Sequence, residues 1–358
     1  NWQSLRQNMP ATSIRDLVIK DDDLVVGTHG RSFWILDDIT PLRQLTAQTA
    51  QAQATLFKPQ KAYRVRWSMY TDTPVPQEEP AGQNPPDGAV INYFLKEKAN
   101  GPVTLEILDA RGQLVRKYSS ADQPAPIPPV NFPKYWIRKE QILSGAAGAH
   151  RFVWDLLHTP RKATPSFPIS AVYQNTAPNP TSPWAMPGMY TVRLTVNGNA
   201  YTQPLQVVMD PRVQMTEAEL KQQYDLSARC YQIQEELKPA IENLVILREV
   251  AKDLLPKCKG KTLLALQAYD KSVQLLLRGE TTAPGPNMWY VNQAAGALFN
   301  LIQDADMPVT QQAAQAAKEL DELFGLAWSR YQVLIDKELA GLNIQLKKAK
   351  LEMPFKPK

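Results

Sequence analysis

The sequence is poor in the residues that build metal and redox centres: it has two cysteines and three histidines in 358 residues. His29, His150 and His158 do not have the spacing of a zinc site. Motifs of the types G-x-S-x-G, C-x-x-C, G-x-G-x-x-G and P-loop do not occur. We therefore expect no cofactor and no metal ion, and we assign no catalytic residue to this chain.

Long hydrophobic runs and a strong charge are also missing. No stretch approaches 18 consecutive apolar residues, and the first residues do not have a signal-peptide pattern. The net charge is only +5, and the basic residues are scattered, which is typical of a solvated surface rather than of a groove for a polyanion. We expect no membrane span and no nucleic-acid partner.

Proline is plentiful but unevenly placed, with 23 of 30 prolines in residues 1–212 and seven in residues 213–358. A proline inside a helix costs about 3 kcal/mol, so the first part should be strand and loop and the last part helix. We predict a mixed, multidomain fold. Its parts are a β-meander over 1–45, a β-sandwich with long proline-rich loops over 46–212, and a four-helix bundle over 213–358.

Residues 1–45 show the alternation of short strands at 13–19, 23–28 and 32–36. The intervening turns contain Asp21-Asp22 and Gly30, which suit tight reversals. Three short strands cannot bury their own apolar faces. This meander should therefore pack on the next domain or complete a larger sheet assembly.

The run DLVVGTHGRSFWILDDI, residues 23–39, resembles the closing blade of bacterial BNR-repeat (Asp-box), sortilin-type β-propeller proteins, which are often labelled glycosyl hydrolases. FKPQKAYR at 57–64 and NPPDGA at 84–89 also resemble that family. No Asp box of the form Ser-x-Asp-x-Gly-x-x-Trp occurs. The resemblance implies that the other blades, with any catalytic acids, lie outside this sequence, and that the protein is periplasmic, secreted or at the cell surface.

The middle part should be an immunoglobulin- or fibronectin-like sandwich, with a hairpin turn at Asn197-Gly198. Its strands are predicted at 88–95, 103–109, 114–118, 148–156, 188–196 and 201–208. Two long loops, 119–147 and 157–187, carry Tyr135, Trp136 and Trp184. These rings either stack on sugars or fold back over the edges of the sandwich.

The last part begins with a capping box of Thr216 and Glu219, which marks the N-terminus of a helix. Apolar residues then recur at three- and four-residue steps, which predicts helices from 216 to about 254 and near 261–278, 287–304 and 310–351. The bundle would serve as a brace, as a dimer surface, or only to stabilise the β part. Cys230 and Cys258 should be free thiols, because a helix of about 36 Å separates them.

Candidate acids for glycoside hydrolysis are Asp37-Asp38, Asp21–Asp23 and Asp155. Neighbouring strand residues point to opposite faces, so Asp37 and Asp38 should not act as a pair. The Asp21–Asp23 run is interpreted as a turn. Candidate ligand-binding residues are His29, Arg31 and Trp34 at the blade edge and Tyr135, Trp136 and Trp184 in the loops; His29 is alternatively a turn cap.

These observations leave three hypotheses. The first is an accessory or structural part of an exported propeller protein, with binding or scaffolding work and no complete active site. The second is part of a sialidase- or glucanase-like glycoside hydrolase. In that case His29, Arg31 and Trp34 would line one side of its glycan-binding site. The third is a sortilin-like receptor for peptides or proteins. Expected partners are the propeller part or another chain contacting residues 1–45, a carbohydrate or protein ligand, and a second copy.

Overall fold

The computed structural model describes residues 4–66, 86–137, 139–161, 181–280, 286–353 and 355. These residues form two compact units. The first holds the described parts of 1–159 and 185–213, and the second holds those of 214–358 together with 160–161 and 181–184. The first unit is built of sheets and the second of helices, so the mixed, multidomain fold is confirmed at that level.

The chain begins with a three-stranded antiparallel sheet in the order β1-β2-β3. Asp21 and Gly30, both at positive φ, lie in its two turns. The meander expected near the N-terminus is present, and two short helices that were not predicted follow it. The bounds are β1 (Ile14–Lys20), β2 (Asp23–Thr28), β3 (Phe33–Leu36), α1 (Thr40–Arg43) and α2 (Ala47–Gln51).

Eight further strands make two more sheets, of orders β4-β6-β9 and β5-β11-β10-β7-β8. All neighbours are antiparallel except β5 and β11. The six predicted strands are present, while β4 and β5 were not predicted. The bounds are β4 (Ala54–Leu56), β5 (Ala62–Arg64), β6 (Ala89–Leu95), β7 (Thr104–Leu108), β8 (Leu114–Ser119), β9 (Gly148–Trp154), β10 (Gly188–Val196) and β11 (Asn199–Met209).

Aromatic pairs join these two sheets. The rings of Tyr118 and Phe152 lie 4.6 Å apart, and those of Trp154 and Tyr190 lie 5.3 Å apart, both edge to face. Trp154 is fully buried, and its indole N–H donates to the carbonyl oxygen of Leu157 at 2.9 Å. A buried indole with a satisfied N–H anchors the core of this unit.

The outer edges of β8 and β9 are protected. Beside β8, the backbone N–H of Thr159 donates to the carbonyl of Val115 at 3.0 Å. Beside β9, the Gln141 amide donates to the carbonyl of Arg151 and accepts from the N–H of Val153, each at 2.9 Å. Some backbone groups on the outer side of each strand are therefore satisfied within the chain, which disfavours pairing with a foreign strand at these positions.

The described residues then form five α-helices: α3 (Glu217–Leu254), α4 (Gly260–Arg278), α5 (Met288–Gln303), α6 (Gln311–Val333) and α7 (Leu339–Lys348). The capping box of Thr216 and Glu219 is confirmed, and α3 continues through Pro239. A π-helical turn, Leu334–Glu338, joins α6 to α7, so the last predicted helix is one rod with a wider turn inside it. No described helix is long and apolar enough to cross a membrane.

Polar side chains tie α3 to the end of α5. The Gln223 amide donates to the carbonyls of Ile302 and Ala305 at 2.9 and 2.6 Å, and the Gln303 amide donates to the Ser227 hydroxyl at 2.6 Å. Gln223, Ser227 and Gln303 are all buried. Buried hydrogen bonds of this kind fix the position of one helix against the other.

The two cysteines are free, as the sequence predicted, and both are buried. Burial raises the pKa of the Cys230 thiol to about 12, so the reactive thiolate is scarce at neutral pH. We expect the native chain to resist a thiol reagent at Cys230 and the denatured chain to react fully. Mass spectrometry after alkylation checks this, and rapid native labelling of Cys230 would contradict the buried position.

Candidate functional site

The sheet β1-β2-β3 has large apolar side chains on both of its faces. The register aligns Val18, Val25 and Ile35, and Phe33 lies two residues before Ile35 on the same side. We call this side the Ile35 face; it also carries the charged residues Asp16, Lys20 and Asp23. The opposite side, the Trp34 face, consists of Leu17, Ile19, Leu24, Val26, Trp34 and Leu36.

Neither face is covered within the described part of the chain. No residue of the three strands is buried. On the Ile35 face, Phe33 is 79% exposed and Ile35 is 58% exposed, while on the Trp34 face Leu17 and Ile19 are 53% and 54% exposed. Antiparallel sheets normally keep one polar face toward water. Here large apolar side chains are exposed on both sides, and large exposed apolar patches mark interaction sites.

The outer edges of β1 and β3 are open as well, since no described strand pairs with either of them. This differs from β8 and β9, whose outer sides are partly satisfied within the chain. The same protein thus protects edges elsewhere and leaves this sheet open on two faces and two edges. Such a surface is suited to packing against other sheets.

A buried carboxylate fastens this sheet to the rest of its unit. Asp38 lies just after β3 at a φ of +56° and is 8% exposed. Its carboxylate accepts hydrogen bonds from the Asn92 amide at 2.7 Å, from the Gln60 amide at 2.8 Å, and from both the backbone N–H and the hydroxyl of Thr40. Asn92 belongs to β6, so one side chain joins the end of the meander to another sheet.

Arg151 of β9 completes this polar joint. Its guanidinium donates to the carbonyl of Asp37 at 2.8 Å and to the side-chain oxygen of Asn92 at 3.2 Å. The backbone N–H of Asp38 in turn donates to the carboxylate of Asp23 at 2.9 Å. We use the name polar joint for Asp38, Gln60, Asn92 and Arg151. It holds the open sheet in a fixed orientation toward β6 and β9.

The hydrogen bonds of the polar joint limit the chemical roles of Asp37 and Asp38. The carboxylate of Asp38 is occupied by its donors, so it is not placed to act on a substrate. Burial raises the pKa of Asp37, Asp23 and Asp38 add to the rise, and Arg151 opposes it. Asp38 is therefore a buried carboxylate filled by hydrogen bonds, whereas Asp37 bonds to Arg151 through its backbone carbonyl and has a carboxyl with a raised pKa.

The three predicted ligand contacts of the meander lie in, or directly after, the turn between β2 and β3. His29 and Arg31 are exposed, and the indole N–H of Trp34 donates to the carbonyl of Arg31 at 2.8 Å. The backbone of His29 holds the turn, because its N–H donates to Ser13 and its carbonyl accepts from the Thr12 hydroxyl. His29, Arg31 and Trp34 thus lie together at one end of the open sheet.

The loop aromatics are divided between the two units. Tyr135 and Trp136 follow each other in a short 3₁₀ turn of the first unit, with ring centroids 6.3 Å apart and nearly perpendicular planes. Tyr135 is 57% exposed. Trp184 is half-buried and belongs to the helical unit. Sugar stacking by these rings stays a prediction.

A second polar group lies where β8 meets the segment after β9. The guanidinium of Arg116 lies 4.8 Å from the ring centre of Tyr118, and it donates to the carbonyl of His158 at 3.2 Å. Asp155 as a residue is exposed, while desolvation of its carboxyl raises the pKa of that group and Arg116 opposes the shift.

Two carboxylates lie near Tyr118. Burial raises the pKa of the Tyr118 hydroxyl, Asp155 and Glu140 add to the rise, and Arg116 opposes it. Glycoside hydrolysis commonly uses two carboxyl groups on either side of the scissile bond. Here each carboxylate accepts a hydrogen bond from a backbone N–H, Asp155 from Leu157 at 3.0 Å and Glu140 from Ala125 at 2.8 Å. Arg116, Tyr118 and Glu140 were not predicted as site residues.

His158 should make stability depend on pH. Burial lowers the pKa of His158 from 6.5 to about 4, and Asp109 opposes the shift. Between these values the unfolded chain binds a proton that the folded chain does not. Stability should therefore fall as the pH drops from about 6.5 to about 4, by at most about 1.4 kcal/mol per pH unit.

Urea unfolding of the wild type and of His158→Gln at several pH values tests this expectation. The difference between the two proteins isolates His158, because Asp155, whose raised pKa acts in the opposite direction, is common to both. If the difference in unfolding free energy between the two proteins stayed constant from pH 7 to below pH 4, the imidazole of His158 would not be buried in its neutral form.

No protein-family model matches the chain, and no curated protein matches it. No group of three His, Cys, Asp or Glu residues in the described ranges could hold a metal ion. The chain's functional interpretation therefore depends on the open sheet and the polar joint that orients it.

Proposed function

We propose that this chain is an accessory, scaffolding part of a larger exported protein, and that the sheet β1-β2-β3 docks between two further β-sheets. The observation that supports the proposal is the exposure of large apolar side chains on both faces of this sheet. A β-propeller packs each blade between two others, so the proposal agrees with the resemblance of residues 23–39 to the closing blade of BNR-repeat, sortilin-type proteins.

We assign the other two sheets of the first unit to a spacer of the immunoglobulin- or fibronectin-like sandwich kind. Their facing aromatic pairs and mostly antiparallel strands support this assignment. The polar joint supports a scaffolding role, because it holds the open sheet against β6 and β9 through named hydrogen bonds. A surface fixed before its partner arrives loses less entropy on binding.

The surface is tested by placing one charge on each face. Ile35→Lys alters the Ile35 face and Leu17→Lys alters the Trp34 face; Leu326→Lys, at a 60% exposed position of α6, is the matched control. We expect the wild type to self-associate with increasing concentration and to bind a hydrophobic dye. Both sheet variants should weaken these properties, and the control should retain them.

Sedimentation velocity gives the readout, with circular dichroism to show that each variant folds. Because the three positions are exposed, the substitutions should leave folding intact. A strictly monomeric wild type that binds no dye would overturn the proposal. Equal effects from Leu326→Lys would also overturn it, since the sheet would then have no special role.

The chain by itself should be inactive on glycosides. The carboxylate of Asp38 is occupied by hydrogen-bond donors, and Asp155 and Glu140 each accept a hydrogen bond from a backbone N–H. We expect no turnover of aryl glycosides or polysaccharides by the wild type, with Asp37→Asn and Asp155→Asn as comparison variants. Turnover that disappears in either variant would instead support a glycoside hydrolase centred on that residue.

A further inference from the structure

Strand β8 carries two polar side chains on the side of its sheet that faces the core of the first unit. In the register of β7 and β8, Arg116 lies opposite Ile107 and Tyr118 lies opposite Leu105. Residues directly opposite in an antiparallel pair share a face of the sheet, and Leu105 and Ile107 are fully buried. Because a charge on the core side of a sheet is costly without polar partners, the surroundings of Arg116 must supply them.

These two side chains lie where two edge strands meet. β8 is the last strand of its sheet and β9 the last strand of the other, and the rings of Tyr118 and Phe152 join the two strands at 4.6 Å. The guanidinium of Arg116 donates to the carbonyl of His158 at 3.2 Å. Residues 155–158 therefore reach from the end of β9 to the Arg116 side chain on β8.

Two carboxylates come from the segments before and after β9. Asp155 follows β9 directly, in the segment that reaches Arg116. Glu140 precedes Gln141, whose amide bonds to the outer edge of β9. Burial raises the pKa of the Tyr118 hydroxyl and both carboxylates add to the rise, which agrees with their position beside it. Each carboxylate accepts one backbone N–H, so each keeps lone pairs for a further donor.

Two hydrogen-bond donors in this group have no partner among the described residues. They are the Nε–H of Arg116 and the hydroxyl of Tyr118, and both atoms are buried. A buried donor without an acceptor costs free energy, so it favours a ligand that supplies one. The group thus combines two unfilled donors with two carboxylates that can accept more hydrogen bonds. We call Arg116, Tyr118, Glu140 and Asp155 the β8–β9 cluster.

We propose that the β8–β9 cluster binds a neutral, hydroxyl-rich ligand, the end of a saccharide chain. A hydroxyl group can accept from one of the unfilled donors and donate to a carboxylate at the same time. An anion would meet two carboxylates and one guanidinium, and a cation would leave both donors unfilled. This inference goes beyond the docking role of β1-β2-β3 and does not depend on it. Binding needs no turnover, so it agrees with the expected inactivity on glycosides.

The test is isothermal titration calorimetry of the full chain with three neutral probes, cellotriose, maltotriose and mannotriose, and one acidic probe, trigalacturonic acid. We expect at least one neutral trisaccharide to bind with a dissociation constant of the order of 1 mM or tighter. Trigalacturonic acid should bind at least about tenfold more weakly, because its carboxylates meet those of the cluster.

Two variants locate the binding site. Tyr118→Phe removes the hydroxyl and keeps the ring that packs on Phe152, and Glu140→Gln removes one carboxylate. Each should weaken binding about threefold to tenfold, because one hydrogen bond to the saccharide is lost. Tyr63→Phe is the matched control: it makes the same change in β5, at the opposite edge of the same sheet, where Tyr63 is 45% exposed. The control should bind as the wild type does.

Tyr118→Phe should also leave the midpoint of urea unfolding unchanged or raise it, because the hydroxyl has no partner to lose. A lower midpoint would show that a bond within the chain already fills this donor and would overturn the proposal. So would the absence of binding by all three neutral probes, or affinities that are equal in the wild type, Tyr118→Phe and Glu140→Gln. If Glu140→Gln does not fold, as judged by circular dichroism, Tyr118→Phe and Tyr63→Phe decide the result.

Discussion

Asn in place of Asp38 should lower the free energy of unfolding of the first unit by about 2–3 kcal/mol. Both carboxylate oxygens of Asp38 accept hydrogen bonds, from Asn92 on one side and from Gln60 and Thr40 on the other. An Asn side chain has one oxygen, so its NH₂ group must face at least one donor in a buried place. A buried donor left without an acceptor costs about 1–3 kcal/mol. Urea unfolding followed by circular dichroism measures the loss.

Asp37→Asn is the matched control, with the same chemical change one residue away. Because burial and the neighbouring carboxylates raise the pKa of Asp37, ionising it costs folding free energy. The stability that protonated Asp37 contributes is therefore lost as the pH rises above about 4. At pH 7 the substitution Asp37→Asn should not lower the free energy of unfolding. Equal losses for Asp37→Asn and Asp38→Asn would contradict the polar joint.

Trp154→Ala should give the largest change, a loss of about 3–5 kcal/mol, because it leaves a cavity in the core of the first unit. Trp154 is fully buried, packs on Tyr190 and donates to Leu157. The unfolding transition of the sheets should move, and that of the helices should stay in place. Trp289→Ala, at a 43% exposed position in α5, is the control and should leave the sheet transition unchanged.

The sequence predicted local features well. Alternation located the strands of the meander, and the capping box located the start of α3 at Glu217. These features depend on residues a few positions apart, which a single sequence displays directly. The strands β4 and β5 were missed because three residues are too few to show a periodicity.

The site was predictable only in part. Apolar residues at 17–19 and 33–36 already indicated a sheet that needs an outside layer. The polar joint was not predictable, because Asp38 is 54 residues from Asn92 and 113 residues from Arg151. The doubled aspartate after β3 was a weak signal, and it suggested acids for catalysis. The positive φ of Asp38, which turns its carboxylate toward β6, has no pattern in the sequence.

The most direct test of the docking role compares amide hydrogen exchange in the isolated chain and in the protein purified from its native source. In the isolated chain, amides on the outer edges of β1 and β3 are open to water and should exchange quickly. In the native protein, layers on both faces and strands at the edges should slow exchange across Ile14–Leu36. The helices α3–α6 serve as the internal reference and should not change. Equally fast exchange across Ile14–Leu36 in both proteins would contradict the docking role of this sheet.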